Sequence, residues 1–344
     1  MQMARIKEKK IPFEISTGLR RYLKMYGREM ELPIQYSDLL RYNNGITLYD
    51  KHGEDTLWIS LIYSQDDLNH INESLKQIYA ILKANGDMSV MQHLYIERVD
   101  LCLYGNTQPF RVRVVNKIND NWDYFYIKHA DASRVYGLEL EHLLSPNRIS
   151  YVVDQNTLIE EHIAGIPGAE FFESYLKSGR VENRTRLAKE FVKFNERCFV
   201  RLLGDMHSSN YVIDITPDFE DIHYRIRAID FDQQSYEPRK SIYMPQYFKQ
   251  NMPIIEVGLQ LMTPETVRQY QKEERAMIAS RIRYSGQQIW DLMKYMVKAQ
   301  ISQPQYVKQL AEELANHYKD KRFLNCATMG AIVKCSLDIL LENN

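Results

Sequence analysis

Two short segments concentrate groups that can act on phosphates. Gly204-Asp205-Met206-His207-Ser208-Ser209-Asn210 sets a carboxylate and a carboxamide five residues apart, and Ile229-Asp230-Phe231-Asp232 adds two more carboxylates. Phosphoryl transfer needs such a set: one carboxylate orients a hydroxyl nucleophile and accepts its proton, while an amide oxygen and a second carboxylate hold magnesium on the phosphates. The five-residue gap lets one loop present Asp205 and Asn210 to a single cavity. Asp and Asn are also ordinary turn residues, so the letters alone carry less than their placement. At average residue usage G-D-x-H-x-x-N arises by chance in about one chain in a thousand.

The placement follows from the flanking patterns. A helix is expected over roughly 183 to 200, and the strands Asn210 to Ile215 and Tyr224 to Ile229 bracket a turn around Pro217-Asp218. The Asp205 loop then lies between helix and hairpin, and the second strand returns Asp230 beside Asn210. In this setting the two segments resemble the catalytic loop and metal-binding strand of the aminoglycoside phosphotransferase and choline kinase branch of the protein-kinase-like superfamily. The resemblance implies that Asp205 is the catalytic base, Asn210 a magnesium ligand, Asp230 the principal magnesium ligand and Asp232 a secondary one, with His207 bracing the loop.

Upstream, the same template asks for a strand lysine and a helix glutamate. Lys128 ends Tyr124-Phe125-Tyr126-Ile127-Lys128, where its ammonium would neutralise the α/β-phosphates of ATP. Glu139 or Glu141, on a helix expected over Ala132 to Leu144, would hold that lysine. Glu139 is preferred because Leu143 follows it with the spacing that faces a sheet. The two glutamates are about 200° apart on a helix, which lets only one point inward. Leu158 to Gly165 resembles the hinge between lobes, where Glu161 and Ile163 would offer backbone groups to adenine. Three departures stand out. Gly105 is the one glycine in the first turn of the small lobe, Leu203 precedes Gly204 where the family usually has histidine, and Ser208-Ser209 replaces the common Pro-Gly.

The implied fold class is α+β: a two-lobed protein-kinase-like fold with a β-rich small lobe over 95–163, a mainly helical large lobe over 164–344, and an N-terminal α/β appendage over 1–94. Strands are expected at Tyr95 to Leu103, Phe110 to Val115 and Tyr124 to Lys128, and a hairpin at Ile46 to Tyr63. A helix capped by Ser64 or Asp66 follows, with Leu68, Ile71, Leu75, Ile78 and Leu82 as its apolar stripe. The expected activity is ATP- and magnesium-dependent transfer of the γ-phosphoryl group to a hydroxyl acceptor, with ATP in the cleft between lobes. A kinase-like pseudoenzyme scaffold, a protein kinase and a nucleotidyl transferase are the alternatives on the same fold.

Composition narrows the partners. With 44 basic against 45 acidic residues the chain lacks the cationic excess that nucleic-acid binding uses, so no nucleic-acid partner is expected. Arg5, Lys7, Lys9 and Lys10 read as a solvated tail. Cys102, Cys198, Cys326 and Cys335 are scattered, which favours a reducing cytoplasm over a disulfide framework. No run approaches the roughly 18 to 20 apolar residues of a membrane span. A cytoplasmic location without membrane contact is therefore expected. No Walker motif or nucleophile elbow occurs, and the eight histidines other than His207 make no metal-ligand spacing.

Overall fold

The chain divides into two units in a computed structural model, which describes residues 10–84, 86–104, 107–218 and 222–344. Arg5, Lys7, Lys9 and the Gly105-Asn106 turn lie outside the described residues. One unit is drawn from Met1–Asp131 and Ile149–His162, the other from Ala132–Arg148 and Ile163–Asn344. The chain is thus α+β, with a seven-stranded antiparallel sheet in the first unit and most of its helices in the second. Among the described residues no helix is long and apolar enough to cross a membrane.

The sheet unit holds helices α1 (Thr17–Met25) and α2 (Tyr36–Leu39), strands β1 (Asn44–Tyr49) and β2 (Asp55–Ile62), and helix α3 (Gln65–Lys83). It continues with β3 (Leu94–Cys102), β4 (Phe110–Asn116), β5 (Trp122–His129), β6 (Tyr151–Asp154) and β7 (Thr157–Glu161), in the spatial order β1-β2-β3-β4-β5-β7-β6. Strand alternation sorts its faces. Phe110, Val112 and Val114 of β4 and Phe125 and Ile127 of β5 point into the core, while Arg111, Arg113, Tyr124 and Tyr126 occupy the alternate positions. Ile71, Leu75, Ile78 and Leu82 of α3 complete that core at helical spacing. Ser64 caps α3 by accepting the Asp67 amide at 3.2 Å.

The described strands within residues 1–94, expected as an appendage, share this sheet with the strands that follow. β2 pairs with β3 through Trp58↔Cys102 and Ser60↔Asp100, so the hydrogen bonding runs on past position 94. Lys10 is not a solvated residue. Its Nζ donates to Asp131 Oδ2 at 2.8 Å, and the Phe13 amide donates to Asp131 Oδ1 at 2.7 Å. The buried Asp131 carboxylate requires such donors.

The helical unit begins with α4 (Ala132–Leu144) and a three-stranded ribbon β10-β9-β8, made by β8 (Ile166–Pro167), β9 (Tyr211–Pro217) and β10 (Ile222–Ala228). The remaining helices are α5 (Gly168–Phe171), α6 (Arg184–Arg201), α7 (Met252–Leu261), α8 (Pro264–Ser285), α9 (Gln287–Met296), α10 (Pro304–Tyr318) and α11 (Met329–Glu342). Buried charge is paired at several points: Arg197 donates to Glu190 at 2.6 Å, Arg275 to Glu196 at 2.6 Å and Arg281 to Glu274 at 3.1 Å. Every residue of α4 except His142 is buried, which overturns the expectation that only one of Glu139 and Glu141 points inward. A helix enclosed on all sides buries both.

Because Phe125 is fully buried and its ring lies 6.4 Å from that of Tyr79 on α3, Phe125→Ala should destabilise the sheet unit by about 3–5 kcal/mol in chemical denaturation. A change within experimental error would show that this face is not the core.

Candidate active site

The loop that follows α6 is built by three consecutive backbone constraints. Leu202 caps the helix in the left-handed region at φ 57°. Gly204 comes next, where an added Cβ would stand 3.0 Å from the Gln233 carbonyl oxygen and 3.1 Å from Ile242 Cγ2. Asp205 then takes φ 61°, a conformation that Asp tolerates better than most side chains. The loop is laced on all sides. The Gly204 amide donates to Gln233 O at 3.2 Å, the Asp205 amide to Ile242 O at 3.0 Å, and the Ser235 amide to Leu202 O at 2.8 Å.

Asp205 and Asn210 are joined directly, because Asn210 Nδ2 donates to the Asp205 carbonyl oxygen at 2.9 Å. Asp230 arrives by register. Tyr211 of β9 pairs with Ala228 of β10, and the Ile229 amide donates to Asn210 O at 3.0 Å, so Asn210 and Asp230 leave the ribbon at the same end. Asp232 folds back on Asp230, its amide donating to Asp230 Oδ1 at 3.0 Å. Asp205, Asn210, Asp230 and Asp232 thus share one loop cluster of the helical unit. His207 braces it, its Nδ1 accepting the Ser209 amide at 3.3 Å and its ring lying against Phe248.

Three participants escape a reading by motif. Arg134 of α4 donates through Nη1 to Asp230 Oδ1 at 2.9 Å and also to Asp232 Oδ1. Asn251, fully buried, donates to Met206 O at 3.0 Å and accepts the Tyr211 hydroxyl at 2.8 Å, which ties the loop to β9. Glu237 contributes negative charge near Asp205. A buried arginine and a buried asparagine both need partners, but the sequence gives no hint of which.

Burial pushes the Asp205 carboxyl up to about 7, helped by the negative charges of Asp230 and then Glu237. The Asp205 side chain keeps 36% exposure, so water screens part of this effect. Burial lowers the basicity of His207, which keeps the ring neutral down to a lower pH than an ordinary histidine. A carboxylate with a proton affinity near neutrality, beside a neutral imidazole, is suited to exchange a proton at ordinary pH.

The remaining expected residues divide between the units. Lys128 is buried in the sheet unit, its Nζ donating to Glu160 Oε2 at 2.8 Å, so β7 supplies a carboxylate for it. Glu161 is tied into the same sheet: its amide donates to Ser150 O at 3.0 Å, and its carboxylate accepts the Ser150 amide at 2.8 Å and Lys83 Nζ at 3.1 Å. Ile163 is buried where the helical unit resumes. In that unit Glu139 accepts Gln288 Nε2 at 2.9 Å, and Glu141 forms an ion pair with Arg201.

The cluster has the donors that a hard cation takes. Asn210 Oδ1 and Asp230 Oδ2 accept no hydrogen bond among the described residues. No three His, Cys, Asp or Glu side chains gather as a metal-binding group among those residues. Magnesium does not require that many, since it is commonly held by one or two carboxylates together with water and phosphate oxygens. Asn210 and Asp230 therefore fit the ion.

The raised proton affinity of Asp205 has a definite linkage sign. The folded carboxyl binds its proton more tightly than the unfolded one, so folded-state stability falls as pH rises from 3.8 to about 7, and the full loss persists above. Asp205→Asn removes the titration. Its melting temperature relative to wild type should rise between about pH 4 and about pH 7 and then level off. A flat difference across that range would contradict this electrostatic environment. No protein-family model matches the chain, and no curated protein matches it.

Proposed function

We propose that the chain is a magnesium-dependent phosphotransferase that moves the γ-phosphoryl group of ATP to a hydroxyl acceptor, with its sheet unit as the small lobe and its helical unit as the large lobe of a kinase-like enzyme. The observation that carries this reading is the loop cluster. Asp205, Asn210 and Asp230 are gathered by a left-handed loop and by the register of one ribbon, and the Asp205 carboxyl is pushed up to about 7.

Each residue then has a task. Asp205 aligns the acceptor hydroxyl and takes its proton on the carboxylate, and Asn210 and Asp230 would hold the ion through their open oxygens. Bound magnesium would supply charge neutralisation to the phosphate oxygens. Lys128, already charge-paired with Glu160, provides a buried ammonium of the kind that steadies phosphates. His207 and Asn251 keep the Asp205 loop in shape. Catalysis on these terms is positioning and charge compensation. A small-molecule acceptor is proposed, in keeping with the resemblance to small-molecule kinases. A nucleotide-binding scaffold without turnover is the second reading, favoured by the hold of Arg134 on both Asp230 and Asp232.

ATP with magnesium should raise the melting temperature of the wild type and leave Asp230→Asn unchanged, because only a ligand bound by the folded state stabilises it. No shift in either protein would remove the nucleotide site. Given an acceptor, Asp205→Ala should lower turnover by roughly 10²–10⁴-fold. Wild-type kcat/KM should rise with pH through about 7, as the base loses its proton. Unchanged turnover in Asp205→Ala would exclude this residue as the base.

A further inference from the structure

The Asp230–Asp232 pair already has a cation. Arg134 is 1% exposed, and one nitrogen of its guanidinium donates both to Asp230 Oδ1, at 2.9 Å, and to Asp232 Oδ1. That nitrogen bridges the two carboxylates and occupies one oxygen of each, as a metal ion shared by them would. We propose that Arg134 is a built-in counter-cation that keeps the Asp230–Asp232 pair closed to free divalent ions, so that the pair accepts a metal only when Arg134 releases it. This rests on the reading of these carboxylates as cation ligands and adds a gate to it.

The arginine is held in place by its helix. Ser133 Oγ donates to Gln234 O at 2.6 Å. One turn further along α4, an added Cβ on Gly137 would stand 3.0 Å from Gln234 Cβ and 3.2 Å from Phe231 Cβ. Ser133, Arg134 and Gly137 thus clamp the 230–235 segment from one face of α4. A guanidinium stays protonated at every working pH. Two carboxylates and one guanidinium leave a single net negative charge, so a bare divalent ion meets half the attraction that the acidic pair alone would exert. Asp230 Oδ2 remains open at the rim, which gives an arriving ion a first foothold before the arginine moves.

The test uses Mn²⁺ as the probe, without nucleotide, followed by electron paramagnetic resonance on the full chain. Arg134→Gln keeps a hydrogen-bonding side chain but removes the charge, and should bind Mn²⁺ at least about tenfold more tightly than wild type. Arg134→Lys keeps the charge and should stay near wild type. A merely structural arginine would lower stability in both variants and leave Mn²⁺ affinity unchanged, which would overturn the proposal. If Arg134→Gln does not fold, the wild type still decides. Saturating Mn²⁺ should speed hydrogen–deuterium exchange at the α4 amides around Arg134, and binding without that change would also overturn it. If Mn²⁺ binds neither wild type nor Arg134→Gln while ATP with magnesium still stabilises the wild type, the gate fails and the phosphotransferase reading stands. If neither Mn²⁺ nor ATP with magnesium has an effect, both fail.

Discussion

Asp205, Asp230 and Asp232 bring acidic side chains together in one half-buried loop region, and the nearest parts of the helical unit answer that crowding. Left uncompensated, carboxylates so placed would take up protons or push the loop apart. Asp205 does the first, holding its proton to about pH 7. Asp230 and Asp232 are instead charge-paired with Arg134, which accounts for an arginine at the third position of a helix buried on nearly every side. The two responses differ in kind. One leaves a group that can exchange a proton, and the other leaves a pair bound to a guanidinium.

The same logic extends outward. Glu141 with Arg201, Glu190 and Glu274 with Arg197, and Glu196 with Arg275 place ion pairs among α4, α6 and α8. Breaking such a pair leaves a buried charge unmatched, whereas replacing both partners by apolar groups is often tolerated. Their value here lies in register: α6 must end where Leu202 can turn left-handed, because Gly204 and Asp205 have no slack on either side. The Asn251 side chain and the Asp205 amide fasten the far side of that loop to the segment after residue 240.

Much of this was legible because it is local. The helix expected over 132 to 144 is α4, the stripe from Leu68 to Leu82 lies on α3, and the strands flanking Pro217-Asp218 are β9 and β10. The juxtaposition of Asn210 and Asp230 could be read because a hairpin closes it. Partners that depend on non-local pairing were out of reach. Lys128 finds Glu160 because antiparallel register sets Leu158 opposite Lys128 and leaves Glu160 as the diagonal neighbour on the same face. Nothing within five residues of Lys128 announces that. Arg134 was hidden for a similar reason, since its carboxylates lie almost a hundred positions downstream. The missing border at residue 94 reflects the same limit, as bonds between adjacent strands leave no mark in composition.

The order in which the strands are made differs from the order in which they lie. β5 is an interior strand of the finished sheet, yet its neighbour β7 follows in the chain only after α4, a helix of the other unit, has been formed. While the chain is being synthesised, β5 therefore waits with one row of amides and carbonyls unpaired. Such an edge is a template for another chain. Fragments ending before residue 157 keep that edge permanently, so they are expected to associate with one another, and the stretch from 149 to 162 supplies the strand that covers β5 and moves the sheet's edge out to the four-residue β6.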